Sequence, residues 1–413
     1  MRDEERLSRH RKSTKRRLAY VTVTIVLGAI GSYAMVLPIF RDALQSYFGI
    51  SIDQFGLLLS IGMVPGAAAV LVGGALIHRF GPRAVVRGAL LGVSAGMCIA
   101  ASGGGLWTVM ILALVLVACF GQTLNIALQS FLVRLFPNRR RRVLSLNLVM
   151  GGAAGILYPL WAEFLLHLEQ TSTRITFSHV LHVPFGVVAV LLFAGSFIYR
   201  RGTSFSRTGP KEATGDKWYH FRFSDGRWLL IALATLHGVC DSAAALWLPR
   251  VLGGDCFFVQ TFAPGFVLAA AALAYVISRL ILAALPEGMG TRIMLVAPGL
   301  LGGGVFIVGI LLRTQAMTAA GFVLGSLLWS LEYPAILAMV AGKEHRRFGS
   351  ALAIMTIATG VGTFLMVNLM GWMAAALGET GLWAILLIPA GGFPLVCLGG
   401  AVWLLRFKTK GGR

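Results

Sequence analysis

Apolar runs of about 20 residues, almost free of charge, recur along this chain, and no other feature constrains its fold as strongly. A run of that length spans roughly 30 Å as a helix, which is the thickness of a bilayer's hydrocarbon core. Twelve such runs are found: Leu18–Phe40, Phe55–Ile77, Ala84–Ala101, Leu106–Val133, Val143–Leu166, Val183–Tyr199, Trp228–Leu248, Phe262–Leu285, Ile293–Leu312, Ala316–Ala341, Phe348–Ala376 and Leu382–Leu405. Over 413 residues, 57% are hydrophobic and only 13% charged, more apolar surface than one soluble core could hide. The expected fold class is therefore all-α integral membrane, with twelve transmembrane helices. A signal-peptide reading of the first run rests only on the small residues around Ser32-Tyr33-Ala34, and the length of the run argues against it.

The formal charge of +20 could suggest nucleic acid, but its distribution favours topology. With twelve crossings, 32 of the 36 lysines and arginines fall on the side of the termini, and only Arg41, Arg174, Arg250 and Arg313 fall on the other. That bias is the positive-inside rule and predicts cytoplasmic termini. The expected location is a bacterial inner (plasma) membrane, and no nucleic-acid partner is expected. The five cysteines show neither disulfide nor metal spacing, so neither a metal nor a cofactor is expected.

The longest polar stretch, 200–227, reads as a cytoplasmic linker. It divides the chain into a basic tail (1–17), a six-helix bundle (18–199), a second six-helix bundle (228–405) and a short tail (406–413). The halves echo each other at nearly constant offset: Pro38 with Pro249, Gly81 with Gly290, and Arg142 with Arg347. The expected architecture is thus two six-helix pseudo-repeats around a central cavity. Parallel repeats of this kind hold substrate near mid-bilayer in secondary transporters.

The stretch GALIHRFGPR, residues 74–83, resembles the loop between the second and third spans of the major facilitator superfamily, roughly G-x-x-x-D-R-x-G-R. Gly74, Arg79 and Gly81 match in place, Arg83 comes one residue late, and His78 stands where the family has an acid. The resemblance implies a cytoplasmic gate built from these five residues. Its physical content is a glycine turn and arginines anchored near lipid phosphates. LPIFRDALQSYFGISIDQFGLL, NRRRRVLSLNLVMGGAAGILYP and AYVISRLILAAL are similar to the same superfamily, so the resemblance covers nearly the whole chain. Within it, the chain resembles the fucose-permease-like sugar–proton symporters. The acids of that branch in spans 1 and 4 fall here on Ala34 and Asn125, so its proton carriers cannot be transferred.

Three acids lie inside the expected spans: Glu163, Asp241 and Glu332. Ionisable groups at membrane depth are costly and mark functional sites. By the resemblance, spans 1, 4, 7 and 10 line the cavity, which favours Asp241 and Glu332. His237 is four residues before Asp241 and shares its helix face, so Asp241, His237 and Glu332 are the proton-coupling candidates. A purely structural hydrogen bond to a neighbouring helix is the alternative. Gln122, Asn125 and Gln129 form an i, i+3, i+7 polar stripe suited to hydroxyl- or amide-bearing solutes, or to interhelical bonding. Tyr33, Trp329 and Glu332 complete the candidate substrate contacts, with apolar packing the alternative for both aromatics. Glu163 is placed near the outer end of span 5, and Arg279 either snorkels outward or pairs with a buried acid.

Read together, these features describe an alternating-access secondary transporter for a small neutral or cationic polar solute, with proton coupling as a further expectation. Its expected partners are the lipid bilayer, the solute and protons, and its expected state is a monomer. The alternatives are a multidrug–proton antiporter, a lipid or lysolipid translocator, or a non-transporting membrane sensor. No His-x-x-Glu-His, G-x-S-x-G or HxxxxD pattern lies within reach of a span, so an enzyme is not expected.

Overall fold

A computed structural model describes residues 22–23, 25–135, 140–199, 226–254, 256–257, 261–284, 293–341 and 348–407. The expected tail 1–17, the linker 200–225, the stretch 408–413 and Arg347 lie outside the described residues, as do the side chains of His78 and Arg142. The described chain is helical. Helix 25–30 runs into a 3-10 turn, Tyr33–Val36, and is followed by α1 (Arg41–Phe48), α2 (Ile52–Ser60), α3 (Met63–Phe80), α4 (Pro82–Ser102), α5 (Trp107–Leu135), α6 (Arg140–Thr171) and α7 (Phe177–Ser196). The remainder forms α8 (Arg227–Leu252), α9 (Pro264–Ala284), α10 (Ile293–Leu311), α11 (Gln315–Trp329), α12 (Glu332–Ala341), α13 (Phe348–Gly381) and α14 (Leu387–Phe407).

Among the described residues, nine helical segments are long and apolar enough to cross a membrane. One of them, Ala353–Arg406, joins the expected eleventh and twelfth crossings across a kink at Gly378. The expected first and fifth crossings are not among the nine. Large apolar side chains cover the outside, with Val190 67%, Ile293 69%, Trp372 67% and Leu405 75% exposed. A surface of that kind is stable only against lipid.

Three expected crossings are broken. The second parts at Ile61–Gly62, between α2 and α3; the tenth parts at Ser330–Leu331, between α11 and α12; the first loosens into the Tyr33–Val36 turn. Each break lies at or next to the fourth residue before a proline, namely Pro65, Pro334 and Pro38. A proline ring clashes with that carbonyl and supplies no N–H to it; at Pro65 and Pro334 the helix restarts with proline in its first turn, whereas Pro38 stays in the turn before α1. Across the tenth-crossing break, Leu331 N–H bonds Leu328 O at 3.2 Å, a tightened three-residue turn.

The helices pair in a repeating pattern. α4 packs on α5 and α7, and α3 packs on α5; correspondingly, α10 packs on α11 and α14, and α9 packs on α11. Two seams join the halves, α6 against α9, and α2 with α3 against α13. Small residues permit the close approach: a Cβ on Gly152 would meet Val276 at 2.5 Å, and one on Gly360 would meet Ala67 at 2.6 Å. Asn368 Nδ2 donates to Ser60 Oγ at 2.9 Å across the second seam. Near one end of the seams, Arg41 Nη1 donates to Arg250 O at 2.9 Å, while Arg250 pairs with Glu379. Cys256, in the loop beside Arg250, is free, and burial pushes its thiol up to about 11.

Gly81 joins α3 to α4 at φ 82°, ψ 154°, a region open to glycine alone. At Gly74, as at Gly81, a Cβ would meet open space, but only Gly81 has the positive φ. Neither glycine is needed for a close approach of helices, and only Gly81 is required by the backbone. Gly81→Ala should lower thermal stability of the purified protein by about 1–3 kcal/mol while Gly74→Ala leaves it unchanged, as read by a detergent-solution unfolding curve.

Candidate functional site

The polar residues of the C-terminal half collect around the break in the tenth crossing. Trp329 is the last residue of α11 and Glu332 the first of α12, and both turn toward α8. On α8, His237 and Asp241 are one turn apart, so each can hold one side of the break. His237 Nδ1 lies 2.7 Å from Glu332 Oε2, with the two side chains 3% and 0% exposed. Cys397 of α14 donates its thiol to Glu332 Oε1 at 3.1 Å. Gly299 of α10 closes the pocket: any Cβ there would come within 2.9 Å of both Glu332 oxygens and of Cys397 Sγ.

Asp241 belongs to a second network. Its Oδ1 accepts from the Tyr275 hydroxyl of α9 and from Trp329 Nε1 at 3.2 Å, and Trp329 Nε1 also reaches the Tyr275 oxygen at 2.7 Å. Arg279, one turn along α9, places its guanidinium 5.2 Å from the Tyr275 ring centre. Asp241 is half-buried, whereas Glu332 is fully enclosed.

The two carboxylates therefore differ in access. One is partly accessible; the other sits among packed helices. His237 and Asp241 share a helix face as expected, yet each bonds a different partner. A direct His237–Asp241 pair is replaced by His237–Glu332, because the break turns Glu332 inward at the level of His237. The histidine ring also stacks on Tyr333 at 5.7 Å and meets Phe393 edge-on at 5.5 Å.

Other candidates divide clearly. Asn125 is exposed, Gln122 and Gln129 are half-buried, and Gln129 Nε2 donates to Asn125 Oδ1 at 3.2 Å. Gly121, on the same stretch of α5, faces open space. Tyr33 is buried and packs edge-on against Tyr158 and Phe185, so it offers no ring face to a solute. Trp329 is equally enclosed, stacked on Phe393 at 4.0 Å and 7°. Its Nε1 donates to Asp241, and in this structure the ring presents no free face to a solute. Glu332, also a candidate solute contact, has both oxygens already engaged within the protein.

Glu163 Oε1 accepts from Gly265 N–H at 2.7 Å, in the first turn of α9, so it caps a helix across a seam between the halves. In the expected gate motif, Arg79 lies exposed over the Phe80 ring at 5.3 Å, and Arg83 lines a cavity beside α4. Sequence reasoning missed Tyr275 and Cys397. Tyr275 has a weak signal, one turn before the intramembrane Arg279; Cys397 has none, since a lone cysteine in an apolar run reads as packing.

A sequence profile of the Major Facilitator Superfamily matches residues 22–264, more than half of the chain. The chain belongs to the major facilitator superfamily. It is accordingly a multi-pass integral membrane protein of a transporter family. No curated protein matches it. Among solved structures, the chain is similar to a superfamily transporter, FucP, in the outward conformation (15% identity, 94% of this chain and 99% of that one, TM-score 0.65). It is also similar to a variant of the E. coli fucose:proton symporter FucP (15% identity, 93% and 98% covered, TM-score 0.61). A third likeness is to a bacterial homologue of the human lysosomal transporter Spinster, inward-facing and occupied (13% identity, 95% and 98% covered, TM-score 0.68). At these identities the likeness is one of fold.

Removing one partner of a buried ion pair leaves an uncompensated charge. His237→Ala should destabilise this superfamily member by about 3–5 kcal/mol, whereas His237→Leu combined with Glu332→Leu should recover most of that loss in the same unfolding assay.

Proposed function

We propose that this chain is a proton-coupled secondary transporter, moving a small neutral or cationic polar solute by alternating access between two six-helix halves, 18–199 and 228–405. The reading includes twelve crossings, a cytoplasmic linker (200–227), cytoplasmic termini in a bacterial inner membrane and a monomeric state. The helix pairing, which repeats from one half to the other, supports the two-repeat layout. The bias of lysine and arginine toward one side supports the orientation. The kinship of fold with a fucose:proton symporter supports coupling, although Ala34 and Asn125 require carriers other than the acids of that branch.

The observation that carries the reading is the tie of both carboxylates to one interrupted helix: Asp241 holds Trp329 at the end of α11, and Glu332 at the start of α12 is held by His237. Discontinuous helices with ionisable groups at the break build coupling sites in secondary transporters. Of the two carboxylates, Asp241 is the partly accessible one. When its carboxylate takes a proton, the charge that the Tyr275 O–H and Trp329 N–H stabilise is lost, and α11 is tied less tightly to α8. His237 Nδ1 and Glu332 Oε2 form a buried pair beside Asp241, on the other side of the break. The α5 stripe of Gln122, Asn125 and Gln129 supplies neutral donors and acceptors for the solute. Among the described residues that form this cluster, the only permanent cation nearby is Arg279, which favours neutral or cationic solutes over strongly anionic ones.

The test begins with a thermal-shift screen of sugars, amines and nucleosides, followed by transport of the stabilising compound in proteoliposomes. Asp241→Asn, isosteric and still able to accept both hydrogen bonds, should abolish accumulation driven by a pH gradient while sparing solute exchange at equal concentrations. Accumulation that survives in this variant across a range of pH gradients overturns the coupling.

A further inference from the structure

A cavity of about 490 Å³ lies away from the carboxylate cluster, at the end of α3 and α4 that carries the gate motif. Its walls are Phe80, Arg83, Ala84, Arg87, Gly88, Leu91 and Tyr199. Arg83 and Arg87 are one turn apart on α4, so their guanidinium groups approach the same space. None of the described residues lining it is acidic. Arg87 Nε is buried and has no hydrogen-bond partner within the protein. A buried donor left unpaired costs free energy, and such a group in a native protein calls for an occupant. Gly88, on the same face, would carry a Cβ into empty space, so the cavity floor is not filled by a neighbouring helix. Phe80, Leu91 and Tyr199 give the site an apolar and aromatic side, the character of a membrane–water boundary.

Two cations, an unpaired N–H and an apolar flank match one chemistry, a phosphate ester attached to an acyl-bearing body. We infer that this cavity is a binding site for the phosphodiester headgroup of an anionic membrane phospholipid, with Arg83 and Arg87 on the phosphate oxygens and the lipid body running along Leu91. Arginine suits the role because its planar fork offers several donors to a phosphate at once. The site is separate from the solute pathway. In the orientation proposed above it faces the cytoplasmic leaflet, where anionic lipids attract basic residues at about 1 kcal/mol each. Only that leaflet assignment rests on the proposed orientation; the binding itself does not.

The experiment is native mass spectrometry of the purified full chain, equilibrated in mixed micelles with phosphatidylglycerol or with phosphatidylcholine. The wild type should retain phosphatidylglycerol in clear preference. Arg87→Gln should lower that retention about fivefold and Arg83→Gln with Arg87→Gln further still, while Arg87→Lys, which keeps the charge but not the fork or its Nε–H, should fall between Arg87→Gln and the wild type. Soluble glycerol phosphate at millimolar concentration should leave the retained lipid in place. Equal retention of the two lipids, or undiminished retention by the double variant, overturns the site; a segment of this chain filling the cavity would give the first result. Displacement of the lipid by glycerol phosphate overturns the lipid as source. Loss of the site would leave the proton-coupling reading untouched, because the readout is lipid retention and neither arginine belongs to the carboxylate cluster.

Discussion

The C-terminal half is organised around the cost of keeping a carboxylate at membrane depth. Glu332 is fully enclosed, and three helices contribute to its accommodation: α8 supplies His237, α14 supplies the Cys397 thiol, and α10 supplies the space at Gly299. Without those partners the ionised group would be too costly to hold in an apolar bundle. Once they are present, the relative positions of α8, α10, α12 and α14 are fixed within narrow limits. Asp241 solves the same problem with fewer restrictions, taking two uncharged donors from α9 and α11 and keeping one side open. An enclosed acid bonded to His237 and a half-buried acid one turn along α8 from that histidine give the site its asymmetry.

Proline explains how one helix can serve both. Pro334 removes the N–H that would continue the ladder to Ser330, and the chain restarts at Glu332. The break directs Trp329 and Glu332 toward the same face of α8. In an unbroken helix, residues three apart are also neighbours, but their backbone groups would be locked into the ladder and the two carboxylate networks could not shift separately. Pro159, Pro184, Pro249, Pro298 and Pro394 lie inside continuous helices, so proline permits a break and does not impose one. At Pro334 the break coincides with polar partners on α8 that reward the altered direction.

This contrast also marks where the sequence was readable. Hydropathy shows where helices lie because the bilayer penalises every unpaired backbone group, and that penalty acts on each segment separately. It also exposes Asp241, Glu332 and His237, whose chemistry is out of place in apolar runs. Partnership is a different matter. That His237 meets Glu332 and not Asp241 depends on the rotation of α12 after the break, which no local pattern encodes. Tyr33 and Trp329 were legible as aromatic residues near the pathway, but their burial follows from Phe185, Tyr158 and Phe393, which lie far away in sequence. Arg41 and Arg250 read as outer-loop charges, whereas in the structure they lie nearly buried against each other between the halves.

The distribution of polar groups has a consequence for how work is divided between the halves. In the N-terminal half the partly exposed polar stripe is made of amides, Gln122, Asn125 and Gln129, none of which changes charge with pH. The remaining intramembrane acid of that half, Glu163, is engaged in capping α9. In the C-terminal half the polar groups near the break, Asp241, His237 and Glu332, are of ionisable type. Within the proposed cycle, the amide stripe then recognises the solute by hydrogen bonds that persist at every proton occupancy, and the α8–α11–α12 junction responds to the proton. Separation of this kind permits a change of solute specificity on α5 without disturbing the ionisable cluster, because the two sets share no side chain.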